Sequence, residues 1–550
     1  MLRRFTLAAL LCGPFLAQST FAQVTFDRIL KADREPQNWL SYAGSASSQR
    51  HSPLSQINTG NVKDLEMKWA FQARSLEKFE ATPLVVDGTM YVTQAPNDIV
   101  ALNAVTGEIK WIYSYSPSRE ARVCCGRVNR GVSILGNTLY MGTIDAHLIA
   151  VNASDGKLLW DTEVEKAEKG YAITHAPLVV KDKIIVGVAG GEFGIRGFIA
   201  AYNANSGKQA WKFYTIPGKG EKGNETWAGD SWTRGGASVW VTGSYDPEQN
   251  LTYWGIGNPG PDWNGDNRGG DNLYSDCVVA LDADTGTLKW YFQFTPHDVW
   301  DYDATQVPVL VDMNWTDRAG RTQPRKIMLW ANRNGFFYAL DRTNGQFLLG
   351  KPFAKVTWAT GLDEAGRPMR APGMEPTTDG TDIYPSVIGA TNWYPPSYSP
   401  RTNLFYVPAW ENVHGPFTKG PDEFQQGKRY VGGGYQMTVP PLRGPQLRED
   451  KKEENGYGTI RASDPKTGER KWEFKMGDVT MSGILTTATD LLFAGGREGN
   501  FHALDARDGK LLWKVNAGGD IAMGPMSYMV NGKQYVVFSA GSSLFSYALK

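Results

Sequence analysis

Two carboxylates stand one residue apart in the segment Trp300-Asp301-Tyr302-Asp303. In an extended strand Asp301 and Asp303 would share one face, and in a loop their side chains could also converge, so the pair could bind a single cation. The alternative is a pair of solvated surface acids. The aromatic neighbours Trp300 and Tyr302 argue against that alternative, so the segment predicts a candidate cation site.

Two glycine-rich segments could bring further oxygen atoms close to a ligand. Glu192 follows Gly190 and Gly191, where the backbone can approach a ligand closely. Asn258 lies in the segment 255–260, which formally matches the dinucleotide-binding fingerprint. Two prolines in and after that segment prevent the helix whose N-terminus would hold a pyrophosphate. We therefore interpret the segment as a turn in which Asn258 could offer an amide oxygen.

Three cysteines follow the N-terminal segment: Cys124, Cys125 and Cys277. In an oxidising compartment the adjacent pair can close an eight-membered disulfide ring, which presents a stiff apolar surface. Two reduced buried thiols, or a bridge between Cys125 and Cys277, are the alternatives. The sequence has no Cys-x-x-Cys-His motif, so we expect no covalent c-type haem on this chain.

Other chemistries find little support. The six histidines include no His-Glu-x-x-His motif, and the chain has neither a phosphate-binding Gly-x-x-x-x-Gly-Lys-Ser/Thr loop nor a Gly-x-Ser-x-Gly elbow. The formal net charge is zero. Without a basic patch, we expect no nucleic-acid partner and no polybasic membrane contact.

A repeat must position these residues. Seven times the chain shows Ala, one residue, Asp or Asn, a Gly four positions on and usually a Trp four beyond, as in Ala101-Leu-Asn103, Gly107 and Trp111. Leu349 replaces the Trp in one copy. Recurring turn signals between alternating apolar runs are typical of a β-propeller, in which each Trp docks one blade on the next.

The ends of the chain predict how the ring closes. Trp69 is an eighth docking position without matching strands before it, and three final strand-like runs have no Trp after them. Joining these ends in one blade would remove exposed sheet edges. We therefore expect an all-β, eight-bladed β-propeller over residues 23–550. The wide gap between Leu349 and Trp472 predicts an insertion with loops at Ala371–Asp382 and Gly420–Asn455, although a hidden extra blade is an alternative.

The first 22 residues are typical of a secretory signal peptide. Arg3-Arg4 precede an apolar stretch, and Thr20-Phe21-Ala22 form a small-x-small cleavage site before Gln23. The apolar stretch is short and interrupted by Gly13-Pro14, which argues against a membrane anchor. No later segment is apolar enough to span a bilayer, so we expect a periplasmic protein.

Taken in order, the motifs resemble those of the quinoprotein alcohol dehydrogenases, enzymes that use pyrroloquinoline quinone (PQQ). The resemblance extends from Ser41-Tyr-Ala-Gly to the end of the chain. In that family the propeller axis holds the quinone between a vicinal disulfide and a tryptophan ring, with a metal ion in its plane. The motifs that carry the resemblance are Cys124-Cys125, Asn129-Arg130, Gly191–Gly197, Tyr253–Pro261 and Trp300–Asp303.

The resemblance implies the residues that hold the quinone. Cys124 and Cys125 would cover one face and Trp240 the other, since stacking suits a flat tricycle. Where many relatives have a serine, this chain has Ala189, so the backbone of Gly190 and Gly191 is expected to donate instead. Polar side chains at matching positions would bond the quinone oxygens: Glu80, Arg130, Thr174, Ser238, Arg333 and Asn392.

The resemblance also implies the metal ligands, which are Glu192, Asn258 and Asp301. Relatives with Ca²⁺ commonly have a small neutral residue two positions after the catalytic Asp, whereas lanthanide-dependent relatives have a second Asp, here Asp303. A trivalent ion needs more anionic oxygen than Ca²⁺ does. We therefore expect a lanthanide, with Ca²⁺ and an incidental Asp303 as the alternative.

A mechanism follows from the resemblance. Asp301 would accept the proton of a small primary alcohol, hydride would pass to the quinone, and electrons would leave to a separate soluble cytochrome c. Aromatic residues in the segment Phe405–Gly434 suggest a pocket for an alcohol larger than methanol. A non-catalytic exported propeller that acts as a scaffold is the alternative from another class. The oligomeric state stays open, with a homodimer among the options.

Overall fold

The computed structural model describes residues 23–439 and 453–550. Within these residues one α-helix is present, Phe26–Leu30, and strands form most of the rest, so the predicted all-β class is confirmed. The predicted signal peptide lies outside the described residues. No helix in the described part of the chain is long and apolar enough to cross a membrane. Short 3₁₀ turns are found at Ala32–Arg34, Val62–Asp64, Ala167–Lys169, Gly191–Phe193, Asn224–Thr226, Ser231–Arg234 and Glu453–Asn455.

Eight sheets of four or five strands account for most strands of the described residues. The first sheet consists of Leu84–Val86, Thr89–Gln94, Asp98–Asn103 and Ile109–Tyr113, and the second of Ser133–Leu135, Thr138–Gly142, His147–Asn152 and Leu158–Glu163. The third sheet consists of Leu178–Val180, Lys183–Gly187, Phe198–Asn203 and Gln209–Tyr214, and the fourth of Ser244–Asp246, Leu251–Gly255, Cys277–Asp282 and Leu288–Gln293. The fifth sheet consists of Val309–Thr316, Thr322–Ala331, Phe336–Asp341 and Gln346–Pro352, and the sixth of Ser397–Ser399, Leu404–Glu411, Tyr457–Ser463 and Arg470–Lys475. The seventh sheet consists of His51–Ser52, Leu485–Thr487, Leu491–Gly495, Asn500–Asp505 and Leu511–Asn516, and the eighth of Leu65–Gln72, Met526–Val530, Lys533–Ala540 and Ser543–Leu549.

In the first seven sheets the last strand is more exposed than the strands before it. In the second sheet Thr138–Gly142 and His147–Asn152 bury four positions each, whereas Leu158–Glu163 buries none. The central strands are rich in apolar and β-branched residues, which pack well on a pleated surface covered on both faces. The sheets therefore form a core in which neighbouring sheets pack face to face.

The first long strand and the last strand of the chain share the eighth sheet. Leu65–Gln72 pairs antiparallel with Ser543–Leu549, and Trp69 lies opposite Ser546. The prediction that the two ends join in one sheet is confirmed. This pairing occupies an edge that each end would otherwise expose.

Tryptophans of one sheet lie against turn glycines of the next. The ring of Trp69 lies 2.8 Å from the point where a Cβ on Gly107 would be, and its Nε1 donates to the Ala104 carbonyl at 3.2 Å. Gly107 has a φ of +75°, so this position excludes a side chain sterically and conformationally. The same contacts recur at Trp111 with Gly156, Trp160 with Gly207, Trp211 with Gly286, Trp290 with Gly345, and Trp472 with Gly509.

The insertion between Leu349 and Trp472 holds more strands than the sequence predicts. Thr381–Ile383 and Gly433–Tyr435, both within or overlapping predicted loops, pair with Gly415–Lys419 in a three-stranded sheet. Ala359–Leu362 and Pro368–Arg370 form a separate hairpin. The loop prediction is therefore wrong for residues 381–382 and 433–435, because strands of three residues are too short to show an alternating pattern. Residues 440–452 of the predicted loop lie outside the described part.

Candidate active site

Two kinds of loop meet at one end of the sheets. Because strands of an antiparallel sheet alternate in direction, the loop before the first strand and the loop between the second and third strands emerge at the same end. Cys124 and Asp301 lie in loops that precede Ser133–Leu135 and Val309–Thr316. Glu192 and Arg333 lie in loops that follow second strands. Residues far apart in the chain are thereby brought together.

A cavity of about 220 Å³ at this end is lined by all but two of the predicted site residues. Gly191 and Asn258 lie directly behind its wall: a Cβ on Gly191 would lie 3.2 Å from Ser238 Oγ and 4.0 Å from Asn258 Oδ1. Glycine at position 191 therefore lets these polar atoms approach the cavity. The predicted residues that line it are Glu80, Cys124, Cys125, Arg130, Thr174, Gly190, Glu192, Ser238, Trp240, Asp301, Asp303, Arg333 and Asn392.

A vicinal disulfide forms part of the wall. Cys124 is bonded to Cys125, and Cys277 is a buried free thiol, so the alternative bridge between Cys125 and Cys277 is excluded. Both disulfide residues are exposed, and their sulfur atoms lie within 4.8 Å of a Glu192 carboxylate oxygen. Because metals prefer thiolates to oxidised sulfur, this group is not a metal site in itself. The disulfide instead presents an apolar surface beside an acid.

Arg130 is the centre of a buried polar network. Its Nη2 pairs with Glu80 Oε2 at 2.8 Å and its Nη1 donates to Thr174 Oγ1 at 3.2 Å. Its guanidinium also lies 5.1 Å from the ring centroid of Trp240 and 4.5 Å from that of Trp393. Stacking against two rings fixes the guanidinium plane, so the position of this positive charge is set before any ligand binds.

Arg333 bridges the two aspartates that the sequence singles out. Its Nη1 forms a short ion pair with Asp303 Oδ2, and its Nη2 lies 3.4 Å from Asp301 Oδ2. Arg333 is 6% exposed, and 22% of the Asp301 side chain still faces the cavity. The attraction between these charges offsets part of the cost of removing them from water. The convergence of Asp301 and Asp303 excludes the reading of two solvated surface acids.

Asp303 is held against the backbone of the Asn258 loop. Its Oδ1 accepts a hydrogen bond from the Asn258 backbone N–H at 2.8 Å. A Cβ on Gly257 would lie 2.3 Å from the same oxygen, so this approach requires glycine. The side-chain amide of Asn258 donates to Asp262 Oδ1 at 3.0 Å, which leaves its own Oδ1 directed away from that contact.

A fourth acid, which the sequence analysis missed, belongs to this cluster. Desolvation raises the pKa of four carboxyl groups, and repulsion from neighbouring acids adds to the rise for the first three of them: Glu192, Asp262, Asp301 and Asp303. Arg333 opposes the rise in the pKa of Asp301 and of Asp303. Asp262 follows the glycine-rich turn by only two residues, and its proximity in sequence to Asn258 was the available signal. The possible metal ligands in this cluster are all oxygen atoms, and the cluster has more acidic than basic side chains.

The insertion clamps the loops that carry these acids. The Tyr430 backbone N–H donates to the Glu192 carbonyl at 2.6 Å, and the Phe424 ring lies against Gly194. The Trp263 backbone N–H donates to the Val431 carbonyl at 3.0 Å. We call residues 420–432 the strap. It ties the loop of Glu192 to the loop of Asn258 and Asp262.

Both polar atoms of the Asn392 side chain already have backbone partners. Its Nδ2 donates to the Ile388 carbonyl at 2.8 Å, and its Oδ1 accepts from the Trp393 N–H at 2.9 Å. Contact of Asn392 with a quinone therefore stays a prediction. Other lining residues that the sequence analysis did not identify are Lys78, Trp393, Tyr394, Tyr435 and Met481.

Comparisons with known proteins agree with this geometry. A model of the family described as "PQQ: Glucose/ethanol/alcohol dehydrogenase, beta-propeller domain" matches residues 39–357 and 454–536. Quinoprotein alcohol dehydrogenase PedH of Pseudomonas putida is 38% identical over 98% of this chain and 91% of its own length. Lanthanide-dependent methanol dehydrogenase of Methylacidiphilum fumariolicum is 36% identical over 94% of this chain and 86% of its own.

A solved structure agrees as well. A europium-containing methanol dehydrogenase superposes with a TM-score of 0.87 at 33% identity and covers 95% of this chain and 100% of its own. The family model matches more than half of the chain, and relatives above 30% identity span nearly all of it. The chain therefore belongs to the family of PQQ-dependent, or quinoprotein, alcohol dehydrogenases.

Proposed function

We propose that this protein is a periplasmic alcohol dehydrogenase that oxidises primary alcohols to aldehydes with PQQ and a lanthanide ion and delivers electrons to a cytochrome c. One observation carries the proposal. A single cavity combines the disulfide of Cys124 and Cys125, the ring of Trp240, two buried arginines and a cluster of carboxylates. Each of these features suits a different part of a flat, anionic quinone with a metal ion beside it.

The walls of the cavity fit the quinone. The exposed disulfide and the half-buried Trp240 are apolar surfaces that a planar ring could cover, which would remove them from water. Arg130 and Arg333 offer charge-assisted hydrogen bonds to carboxylate and carbonyl oxygens. Glu80 and Thr174 hold Arg130 in place, and Ser238 lies beside Gly191 at the opposite wall.

The acids fit a metal ion. Glu192, Asp301 and Asp303 line the cavity, and Asn258 with Asp262 lies behind them. Desolvation disfavours the charged forms of these acids, as their raised pKa values indicate. A bound cation would restore the charged forms. When bound, the metal and the quinone supply Lewis acidity and a hydride acceptor.

The residues of this chain would perform the remaining steps. Asp301 would accept the hydroxyl proton of the alcohol, since its side chain is partly exposed to the cavity. Arg333 contacts Asp301 and favours its ionised state before the proton moves. The apolar side chains of Val387 and Ile388 line the same cavity and would exclude water from the carbinol carbon.

Asp303 supports a lanthanide over Ca²⁺. It is a third carboxylate at the cavity, it is buried, and its pKa is raised by desolvation. It repels the carboxylates of Glu192 and Asp301, and a highly charged ion would relieve that repulsion. Two similar proteins, named as a lanthanide-dependent and a europium-containing methanol dehydrogenase, add support. In the Ca²⁺ alternative Arg333 alone would neutralise Asp303.

The finer architecture and the cellular setting also belong to this proposal. The eight sheets, the shared terminal sheet and the tryptophan contacts support a closed ring of eight blades over residues 23–550. The sequence of residues 1–22 supports export by a signal peptide, and the missing haem motif supports a separate cytochrome c acceptor. A non-catalytic scaffold is disfavoured because it would have no use for this cluster of acids.

Metal titration tests the proposal. Metal-free protein with saturating PQQ should be activated for ethanol oxidation by La³⁺ or Ce³⁺ at far lower concentration than by Ca²⁺. Asp303→Ala should lose the lanthanide response first, because removing one negative charge weakens binding of a trivalent ion more than that of a divalent one. Asp155→Ala, in an exposed turn, is the control. Full activation by Ca²⁺ with inert lanthanides would contradict the lanthanide assignment, and no activity with any metal would contradict the enzyme.

A further inference from the structure

The loop before the fifth sheet contains a buried carboxylate that the proposed mechanism does not use. Asp298 is fully buried. Its Oδ1 accepts a hydrogen bond from the Trp300 backbone N–H at 2.8 Å, and its Oδ2 accepts one from the Tyr302 backbone N–H at 2.6 Å. These two amides lie immediately before and after Asp301. The Asp298 carboxylate therefore binds the backbone on both sides of Asp301, the residue that we assign as the base.

Asp301 needs such support because its backbone is in an uncommon conformation. Its φ is +62°, in the left-handed region that residues other than glycine seldom adopt. The neighbouring side chains are fixed too: Trp300 Nε1 donates to the Met374 carbonyl at 2.8 Å, and the Tyr302 hydroxyl donates to the Pro385 carbonyl at 2.6 Å. The surrounding structure thus determines the direction of the Asp301 side chain.

Arg268 anchors Asp298 from its other side. This arginine is 1% exposed. It donates from Nη2 to the backbone carbonyls of Asp298, at 2.5 Å, and Pro261, at 3.0 Å, and from Nη1 to Asn272 Oδ1 at 2.8 Å. Pro261 follows the loop of Asn258. Arg268 therefore joins the loop that carries Asn258 to the loop that carries Asp301.

We propose that Asp298 is a positioning residue for the reaction: through the amides of Trp300 and Tyr302 it holds Asp301 in the left-handed conformation that points its carboxylate at the alcohol and the metal. The proposal rests on the proposed function, in which Asp301 is the base. Arg268 extends the same support to the second ligand loop.

The geometry requires a carboxylate at position 298. Each of its two oxygens accepts one amide N–H. Asparagine has the same shape but only one acceptor oxygen, so its NH₂ group would face a backbone N–H. The unpaired donors would push the loop away from its position. Asp298→Asn therefore removes the support with almost no change in volume.

Turnover and hydrogen exchange together test the proposal. We expect kcat of Asp298→Asn to fall by about tenfold to a hundredfold at saturating PQQ and metal, with KM for the alcohol changed by less, because a misplaced catalytic group costs turnover rather than binding. In cofactor-free protein the amides of residues 298–303 should exchange with deuterium faster than in the wild type. This second measurement needs no catalysis.

A double-mutant cycle separates positioning from a general loss of structure. Asp301→Asn should lower kcat about a hundredfold or more on its own, and adding Asp298→Asn should lower it little further, since Asp298 acts through Asp301. Asp246→Asn is the control for loss of a buried carboxylate away from the cavity. Asp246 is 2% exposed, its Oδ1 accepts the backbone N–H groups of Glu248 and Gln249, its Oδ2 pairs with Arg342 Nε at 2.7 Å, and it does not line the cavity.

Several outcomes would overturn the proposal. These are a kcat within twofold of the wild type in Asp298→Asn, an additive loss in the Asp301→Asn background, or unchanged exchange of residues 298–303. If Asp298→Asn does not fold, Arg268→Lys tests the same support, with a smaller and again non-additive loss expected. Inactivity of the wild-type protein would instead contradict the proposed function. Hydrogen exchange would still test whether Asp298 holds residues 298–303 in place, because it needs no activity.

Discussion

One close contact with the backbone fixes the position of the Asp303 carboxylate in the site. Asp303 approaches the backbone so closely that its Oδ1 occupies the space of a Cβ at Gly257, 2.3 Å away. The same oxygen accepts the Asn258 N–H. Gly257 has an ordinary φ, so glycine is needed here because it lacks a side chain and not because of its conformational freedom. A methyl group at this position would move a carboxylate without removing it.

This contact makes a prediction about metal affinity. Gly257→Ala should displace Asp303 and raise the metal concentration needed for half-maximal activation by about tenfold or more, which corresponds to roughly 1.4 kcal/mol of binding free energy. The measurement is a La³⁺ titration of metal-free protein with PQQ present. Gly269→Ala is the matched control, because a Cβ there would meet only Ala228 Cβ at 3.9 Å. Equal titration curves for the two variants would show that Asp303 does not contribute to the metal.

Sequence reasoning identified residues of this site unevenly. Asp301 and Asp303 were visible as a pair, and the family resemblance supplied positions such as Glu80 and Arg333, both of which line the cavity. Asp262 was missed because a single acid after the glycine-rich turn carries no pattern beyond its proximity to Asn258. The stacking of Arg130 between two tryptophans was also out of reach, since those rings lie more than a hundred residues away along the chain.

At the scale of elements, the strap adds a connection between the loop of Glu192 and the loop of Asn258. The Tyr430 N–H holds the Glu192 carbonyl, and the Val431 carbonyl accepts the Trp263 N–H. Asn264 Nδ2 adds a bond to the Gly420 carbonyl at 2.8 Å. The strap therefore stiffens the ligand loops from outside the ring of sheets.

We predict that the strap slows metal loss. Replacing residues 421–431 by a short Gly-Ser linker should speed release of the metal to a chelator by about tenfold, since two backbone bonds that fix the loops are lost, each worth roughly 1 kcal/mol. The measurement is the decay of activity after chelator addition. Shortening the exposed turn at residues 318–320 is the control. Equal decay in both variants would contradict a role of the strap in holding the metal.

Regular elements were more predictable than irregular ones for a physical reason. The Asn103 and Gly107 repeat needs a tight turn and a flat contact with the Trp69 ring, so the sequence repeats wherever the structure does. The strap and its short strand Gly433–Tyr435 depend on single backbone bonds to distant loops. Such bonds involve no particular side chain and leave no mark in the sequence.

At the scale of the whole molecule, four histidines, two of them buried and two half-buried, link stability to pH. Burial lowers the pKa of each of them to about 4: His51, His175, His297 and His502. His175 shows the reason for neutrality most clearly. Its Nδ1 lies 2.9 Å from the Ala176 carbonyl, and the Gly187 N–H donates to its Nε2 at 3.0 Å. A proton on Nε2 would break the second bond.

The sign of the resulting pH dependence follows from linkage. A histidine whose folded pKa lies below its unfolded value of about 6.5 stabilises the fold fully above pH 6.5, and that contribution is lost as the pH falls towards 4. The acids of the cavity, whose pKa values are raised, act in the opposite direction in metal-free protein. A single histidine is therefore best isolated by comparing a variant with the wild type at each pH.

We predict that His175→Gln flattens the acid side of the stability curve. The variant should be destabilised at pH 7.5, because the buried imidazole that accepts the Gly187 N–H is replaced by a flexible amide. The stability difference between wild type and variant should shrink as the pH falls to 5, by about 1.4 kcal/mol for each pH unit below 6.5. Urea unfolding of metal-loaded protein at pH 7.5, 6.5, 5.5 and 5 measures the difference. If the difference in the free energy of unfolding between wild type and variant stays constant over this range, His175 takes up no proton on unfolding. The neutral state of His175 in the folded protein would then have no effect on stability.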